Sequence, residues 1–216
     1  MPYRRTENVV RRLAEREEAI LDAATAIAAE GGMAAVQIAA IAARAGIAAG
    51  TIYRYFPSKT DLIAELVAAV AGRELSAMAA AGDAAPGPLS ALAGAIATFA
   101  TCALNERRLA WAVIGEPVDA QMDAIRLDFR QSLAAEVEAR IKTAIEGRHL
   151  PEQDAGVAAP AIVGALMEGL LGPLAPPPAD AAAARAAVQS ATLLALRALG
   201  VVDARARGLV AQCVLP

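Results

Sequence analysis

The sequence is poor in the residues that most catalytic and metal chemistry needs. Its 216 residues include one histidine, His149, and two cysteines, Cys102 and Cys213. One histidine excludes a histidine-rich zinc site, and cysteines this far apart give no zinc-finger spacing. Glu146 and His149 form a single E-x-x-H, where a di-iron bundle needs two. No metal and no cofactor is expected. Two cysteines also build no disulfide scaffold, which points to a reduced, cytoplasmic protein. His149 lies between Gly147 and Pro151 and reads as a solvent-facing residue at a helix end. No positioned base or nucleophile is visible, so an enzyme is not expected.

Aromatics are only 3% of the chain, and strands favour them. Alanine, the best helix former, occurs 59 times. The fold expected is therefore all-α. Long hydrophobic runs are also missing. The mean hydropathy of +0.43 comes from alanine. The most apolar stretch, Ala155 to Leu174, is broken by Pro160, Glu168, Gly164, Gly169, Gly172 and Pro173, so no membrane span is expected. Near the start, Arg4, Arg5, Arg11 and Arg12 are followed by Glu15, Glu17 and Glu18 rather than by the apolar run of a signal peptide.

Charge is distributed unevenly. Residues 1–60 carry eight Lys and Arg against six Asp and Glu, while residues 61–216 carry twelve against seventeen. A basic end on an acidic body suits a head that binds a polyanion.

The apolar spacing predicts about nine helices and no strand. Residues 1–15 read as a loose arm. A first helix spans Glu17 to Glu30 and stops at Gly31-Gly32. Short helices follow at Ile38–Ala45 and from Ala49 to about Tyr55, with Gly46 turning between them and Pro57 closing the second. Ser58-Lys59-Thr60-Asp61 is close to a capping box and starts a helix that reaches about Ala81. Leu89, Leu92, Ile96, Phe99 and Ala103 mark the next helix, and Arg107–Ile114 a short one. Met122, Ile125, Phe129, Leu133, Val137, Ile141 and Ile145 form a long i+4 stripe. Ala158–Leu171 is nearly all apolar and expected to be covered on every side. After Pro176-Pro177-Pro178 comes a last helix, Ala181–Leu199. The tail from Val201 to Pro216 receives no assignment.

Residues 38–56, IAAIAARAGIAAGTIYRYF, are two short helices about a glycine turn, which is the helix-turn-helix pattern. Its second helix would enter the major groove of DNA. The residue types suit that role. Gly50 permits close approach of the backbone, and the helix start offers amides to phosphate. Thr51, Tyr53 and Tyr55 bring hydroxyls, Arg54 can bridge guanine O6 and N7, and Lys59 can meet a phosphate. Taken singly, either tyrosine could be a packing residue and Arg54 a solvated charge; the combination carries the reading.

The stretch AARAGIAAGTIYRYFPSKTDLIAEL, Ala42 to Leu66, closely resembles the signature of the TetR family of transcriptional regulators. The matching pieces are AxxAG, G-T-[IL]-Y-x-[YH]-F and F-x-S-K-x-x-L, in the right order and spacing. The resemblance implies a helix-turn-helix DNA-binding domain over residues 1–57 and a helical effector-binding and dimerisation domain over 58–216. It implies a homodimer on a near-palindromic double-stranded operator, most often a repressor released by a small, largely apolar effector. By position, Thr51, Tyr53, Tyr55 and Lys59 would contact phosphate, and Gln37, Ala49, Gly50 and Arg54 would reach bases. Two departures stand out. Gln37 replaces the usual Thr or Ser cap of the supporting helix, and Ala48-Ala49 replaces a frequent Ser-Lys. These alanines keep a second reading open: a helical small-molecule-binding protein that has lost specific DNA recognition.

Residues 62–200 contain no chemical motif. Larger side chains on the middle helices are the candidates for the effector pocket: Phe99, Cys102, Trp111, Ile114, Met122, Ile125, Phe129, Leu166, Met167 and Leu170. Thr98, Thr101, Asn105 and Gln121 could fix polar atoms. The resemblance places the dimer interface on the helices 158–171 and 181–199.

Overall fold

The structure is a computed structural model and describes residues 7–117 and 120–213. Among these residues it contains ten α-helices and no strand.

Helix α1, Glu7–Gly31, begins well inside the stretch expected to be a loose arm. Its first turns need no apolar face because residues 9–19 are almost wholly in solvent. Alanine, arginine and glutamate favour the helix there, and Arg11 pairs with Glu15 one turn on, at 3.5 Å. From Ile20 the helix gains a buried face with Ala23, Ala24, Ile27 and Ala28. Gly32, at φ +75°, ends it and leads into a 3-10 turn, Met33–Ala35.

Helix α2, Ile38–Ala45, closes on Gly46 at φ +65°. The Gly46 amide bonds the Ala43 carbonyl and the Ile47 amide the Ala42 carbonyl, the two bonds of a Schellman cap. Helix α3 is only Ala49–Ile52, shorter than expected. Residues 53–55 continue as turns, with the Arg54 and Tyr55 amides reaching back three residues instead of four. Pro57 keeps Phe56 out of the α conformation, so the helix cannot extend. Ile41, Ala42, Ile52 and Phe56 close a small core with α1 and with Leu62, Ile63 and Leu66.

Helix α4, Lys59–Asp83, starts on the cap expected from the sequence. The Ser58 hydroxyl accepts from the Asp61 amide at 3.1 Å and donates to the Asp61 carboxylate at 2.7 Å. Helix α5, Pro88–Asn105, opens with proline at its first turn and is the centre of the body. It packs against α4, α7, α9 and α10 and buries Leu92, Ile96 and Phe99. It is long and apolar enough to cross a membrane by length and composition, and most of it is covered by its neighbours. Helices α6, Arg107–Ile114, and α7, Ala120–Glu146, complete the central layer. The i+4 stripe of α7 is buried from Phe129 to Ile141 as expected.

Helix α8, Ala155–Leu166, is capped by Asp154 and passes into a π-helical turn, Met167–Leu171. The expected single helix is thus interrupted, and it is not covered all round: Ala161, Ala165 and Gly169 are exposed. Arg107 closes the end of that turn. Its guanidinium donates to the carbonyls of Leu170 at 3.0 Å, Leu171 at 3.2 Å and Ala175 at 2.8 Å. Helix α9, Ala181–Ala198, is capped by Asp180. Helix α10, Asp203–Gln212, lies in the unassigned tail. Its Asp203 pairs with Arg207 one turn on and with Arg197 of α9, and Ala206 and Val210 are buried.

Candidate nucleic-acid interface

The sequence singled out eight head residues, and the structure sorts them. Gln37, Ala49, Gly50, Tyr53 and Arg54 are exposed, while Thr51, Tyr55 and Lys59 are half-buried. Tyr53 keeps 51% of its surface exposed; Tyr55 packs its ring on the core. Of the two rings, that of Tyr55 packs and that of Tyr53 stands in solvent. Gly50 has nothing within 4 Å of the space a Cβ would take, so the surface there is open.

The cations differ in freedom. Arg44 is committed to Glu30 at the end of α1, through two contacts of 2.8 and 2.9 Å. That pairing raises the guanidinium's pKa and lowers the Glu30 carboxyl's. The Arg54 side chain makes no hydrogen bond or ion pair among the described residues, so its fork of donors stays available. Lys59 bonds the Gln37 side-chain oxygen at 3.1 Å. The Gln37 amide nitrogen in turn donates to the Ala34 carbonyl at 2.9 Å. Gln37 thus does not cap α2; it ties the 3-10 turn to the start of α4. The sequence flagged the missing cap but not this bridge. Arg11 and Arg12 are exposed on the first turns of α1, and Arg4 and Arg5 lie outside the described residues.

The sequence also missed how the head joins the body. Glu116, in the turn after α6, accepts from the Met33 amide at 2.8 Å and from Arg108 at 2.8 Å. Arg108 also donates to the Gly31 carbonyl at 3.1 Å. Arg126, buried on α7, donates to the Glu116 and Ala112 carbonyls. Partial burial pushes the Glu116 carboxyl up, but Arg108, the Met33 amide and Arg126 outweigh it and hold the carboxyl below its ordinary value. The contact therefore persists at neutral pH and is lost as pH falls through that lowered value. Replacing Glu116 by Gln is expected to raise hydrogen exchange at the Met33 amide about ten-fold or more with little change in global melting. An unchanged Met33 exchange rate would show that this contact does not hold the turn.

The ten body candidates do not converge on one cavity. Phe99 and Leu166 meet at a packed seam with Met78 and Leu133, where no water molecule fits. Ile125 and Phe129 border an open groove of about 460 Å³ between α4 and α7, with Glu65, Asp128 and Ser132 among its polar groups. Met167 lines a second groove between α7 and α8, and Leu166 and Leu170 a third between α8 and α9. Trp111 packs over Gly115, where a Cβ would stand 2.6 Å from its ring. Ile114 is buried and Cys102 half-buried, its thiol pushed up by burial and then by Glu74 and Glu106. The side chain of Met122, and of Gln121, lies outside the described residues.

Comparison with known proteins bears on the head first. Residues 20–66 match the family model for bacterial regulatory proteins of the tetR family. A stretch of 81 residues is 53% identical to the HTH-type transcriptional repressor KstR of Mycobacterium tuberculosis, over 38% of this chain and 33% of that protein. The matched stretch thus spans about a third of that relative's length. The whole fold resembles solved structures. A fatty acid degradation regulator, FadR, from Bacillus halodurans aligns over 87% of this chain and 97% of its own at 21% identity, with a TM-score of 0.74. A TetR-like transcriptional regulator from Rhodococcus sp. RHA1 aligns over 86% and 96% at 26% identity, with a TM-score of 0.63.

Proposed function

We propose that this chain, which belongs to the TetR family through its N-terminal helix-turn-helix domain, is a dimeric cytoplasmic repressor released from DNA by a small, largely apolar effector. Residues 1–57 read the operator and residues 58–216 bind the effector and the second subunit. The observation that carries the DNA reading is the exposed Arg54, without a partner among the described residues, beside the exposed Tyr53 and the open Gly50. A long cation standing free on a recognition turn breaks no intramolecular ion pair by moving to a guanine edge. Lys59 serves the phosphate backbone, positioned by Gln37.

The body supports the rest. The exposed groove between α8 and α9 is almost wholly apolar, with small side chains and Leu194 at 59% exposure. A second copy covers such a surface more favourably than water does. Two recognition turns would then face half-sites about 34–36 Å apart, or a multiple. The groove between α4 and α7 is the favoured effector site, with Ile125 and Phe129 at its wall. Helix α4 carries both that groove and Lys59, so a molecule wedged there shifts the head. Release follows only if the effector binds the DNA-free form more tightly.

The test is fluorescence anisotropy against the DNA flanking the protein's own coding sequence and against scrambled DNA, across a salt series. Selective binding that falls steeply with salt is expected. Arg54→Ala should cost about 1–3 kcal/mol on the operator and little on scrambled DNA. Lys59→Ala should weaken binding on both and reduce the salt slope by about one. Equal losses on both DNAs for both variants would remove this division of roles. The exposed Ala48 and Ala49, which supply no polar donor, favour the second reading, a small-molecule binder without DNA recognition; effector binding with no salt-sensitive DNA affinity would establish it.

A further inference from the structure

A second site lies at the far end of α4, roughly 35 Å along its axis from Lys59. There α4, α5 and α10 enclose an open cavity of about 470 Å³. That volume is within the range that holds small organic ligands. Its walls follow from helix spacing. Ala77 and Ala81 share one face of α4; Ser90, Gly94 and Thr98 share one face of α5; Leu209, Gln212 and Cys213 share one face at the end of α10. The small residues keep the space open. A Cβ at Gly94 would stand 3.3 Å from the Ala81 carbonyl, so glycine lets α4 and α5 lie this close.

The floor is the informative part. Thr98 is 4% exposed. The two other fully buried threonines turn their hydroxyls back onto the helix: Thr101 to the Ala97 carbonyl at 2.7 Å and Thr192 to the Val188 carbonyl at 2.8 Å. Thr98 makes no such bond, and no other, among the described residues. Nor is its oxygen sealed among the buried atoms that lack a partner, and Thr98 is one of the residues that line the cavity. Water in the open cavity can bond this hydroxyl, so a ligand that displaces the water must replace that bond. No charged side chain lines the cavity among the described residues. An ion would give up its hydration there for nothing.

We propose that this cavity binds a small, uncharged, mostly apolar molecule that carries one hydrogen-bonding oxygen, held by the Thr98 hydroxyl. The site is separate from the α4–α7 groove and does not depend on DNA binding. Cys213 supplies a reporter at its rim, since the half-buried thiol shares the lining.

The probe is 6-propionyl-2-(dimethylamino)naphthalene, an uncharged ketone whose emission reports polarity. The full-length protein is titrated with it, and alkylation of Cys213 and Cys102 by iodoacetamide is followed by peptide mass spectrometry. Binding is expected to slow Cys213 alkylation about five-fold or more and to leave Cys102 unchanged. Thr98→Val should weaken binding about two- to ten-fold, the loss of one neutral hydrogen bond. Ala85→Trp, in the turn at the rim, should abolish it, with the melting curve checking the fold. Absence of binding overturns the proposal. So does binding that leaves Cys213 alkylation unchanged, and so does an affinity that Thr98→Val does not alter. The protection of Cys213 in the native chain decides the matter even if a variant fails to fold.

Discussion

Arg107→Met is expected to destabilise the chain by about 2–4 kcal/mol, and to loosen the segment around residues 167–178 before the rest. The last turn of a helix leaves carbonyls without amide partners and carries the negative end of the helix dipole. At the end of the π-helical turn that follows α8, such carbonyls are gathered by one guanidinium, which reaches Leu170, Leu171 and Ala175. Methionine keeps the apolar stem and removes every donor. The partly buried carbonyls then lose charge-assisted bonds together, which costs more than one bond alone. Arg107→Lys should recover only part of the loss, because a single ammonium cannot serve three carbonyls spread in a fork. Urea unfolding gives the magnitude, and hydrogen exchange over residues 167–178 gives the location. A loss below about 0.5 kcal/mol would mean that water replaces the guanidinium at no cost. The turn sits beside the apolar groove between α8 and α9, so a weakened dimer in Arg107→Met would also connect this clamp to the proposed interface.

The sequence made the head legible because its signals are local. The Ser58 cap and the Gly46 turn each act within a few residues, and each occurs where expected, while α3 stops at Ile52, short of Pro57. The long buried stripe of α7 was equally clear, since one apolar period runs through it. What stayed hidden depends on contacts across the chain. The first turns of α1 have no apolar period because they face solvent, so periodicity could not find them. Helix α10 is tied to α9 through Asp203 and Arg197 and buries only Ala206 and Val210, which leaves a weak pattern.

The same reason explains the site. Arg54, Tyr53 and Gly50 are marked by the motif they occupy, and the structure places them in the open. The Gln37 bridge to Lys59 and the Glu116 bridge to Met33 join residues 22 and 83 positions apart. Nothing in the local pattern around Glu116 announces a partner that far away. The pocket candidates were chosen by size and polarity alone, and in an alanine-rich body large side chains are needed mainly to fill the core. Phe99 and Leu166 do so, while the α8–α9 groove and the cavity at the far end of α4 are walled in good part by alanine and glycine, which no search for bulky residues would select.

Glu74→Gln should stabilise the protein above neutral pH and leave it unchanged in acid. Glu74 is a half-buried residue on α4, near Cys102 and Glu106 of the α5 end. Burial pushes its carboxyl up to about 7; Arg73 opposes the shift and Glu106 adds to it. The unfolded chain releases this proton near the ordinary glutamate value, about 4.3. Between the two values the folded form holds more protons than the unfolded one, so stability falls as pH rises through this window. Above about 7 the folded state carries a partly buried charge with only Arg73 to offset it. Glutamine keeps the shape and cannot ionise. The difference between variant and native protein should therefore be near zero at pH 4, grow from about pH 4.5 to 7, and level off at about 1–3 kcal/mol at pH 8. Urea unfolding of both proteins across pH 4–8 measures it, and the other titrating groups cancel in the subtraction. A flat difference would mean that Glu74 is ionised and solvated at neutral pH. A rising one would place a titrating group on the helix that joins Lys59 to the proposed effector groove, and DNA affinity should then change over the same pH window in the native protein more than in Glu74→Gln.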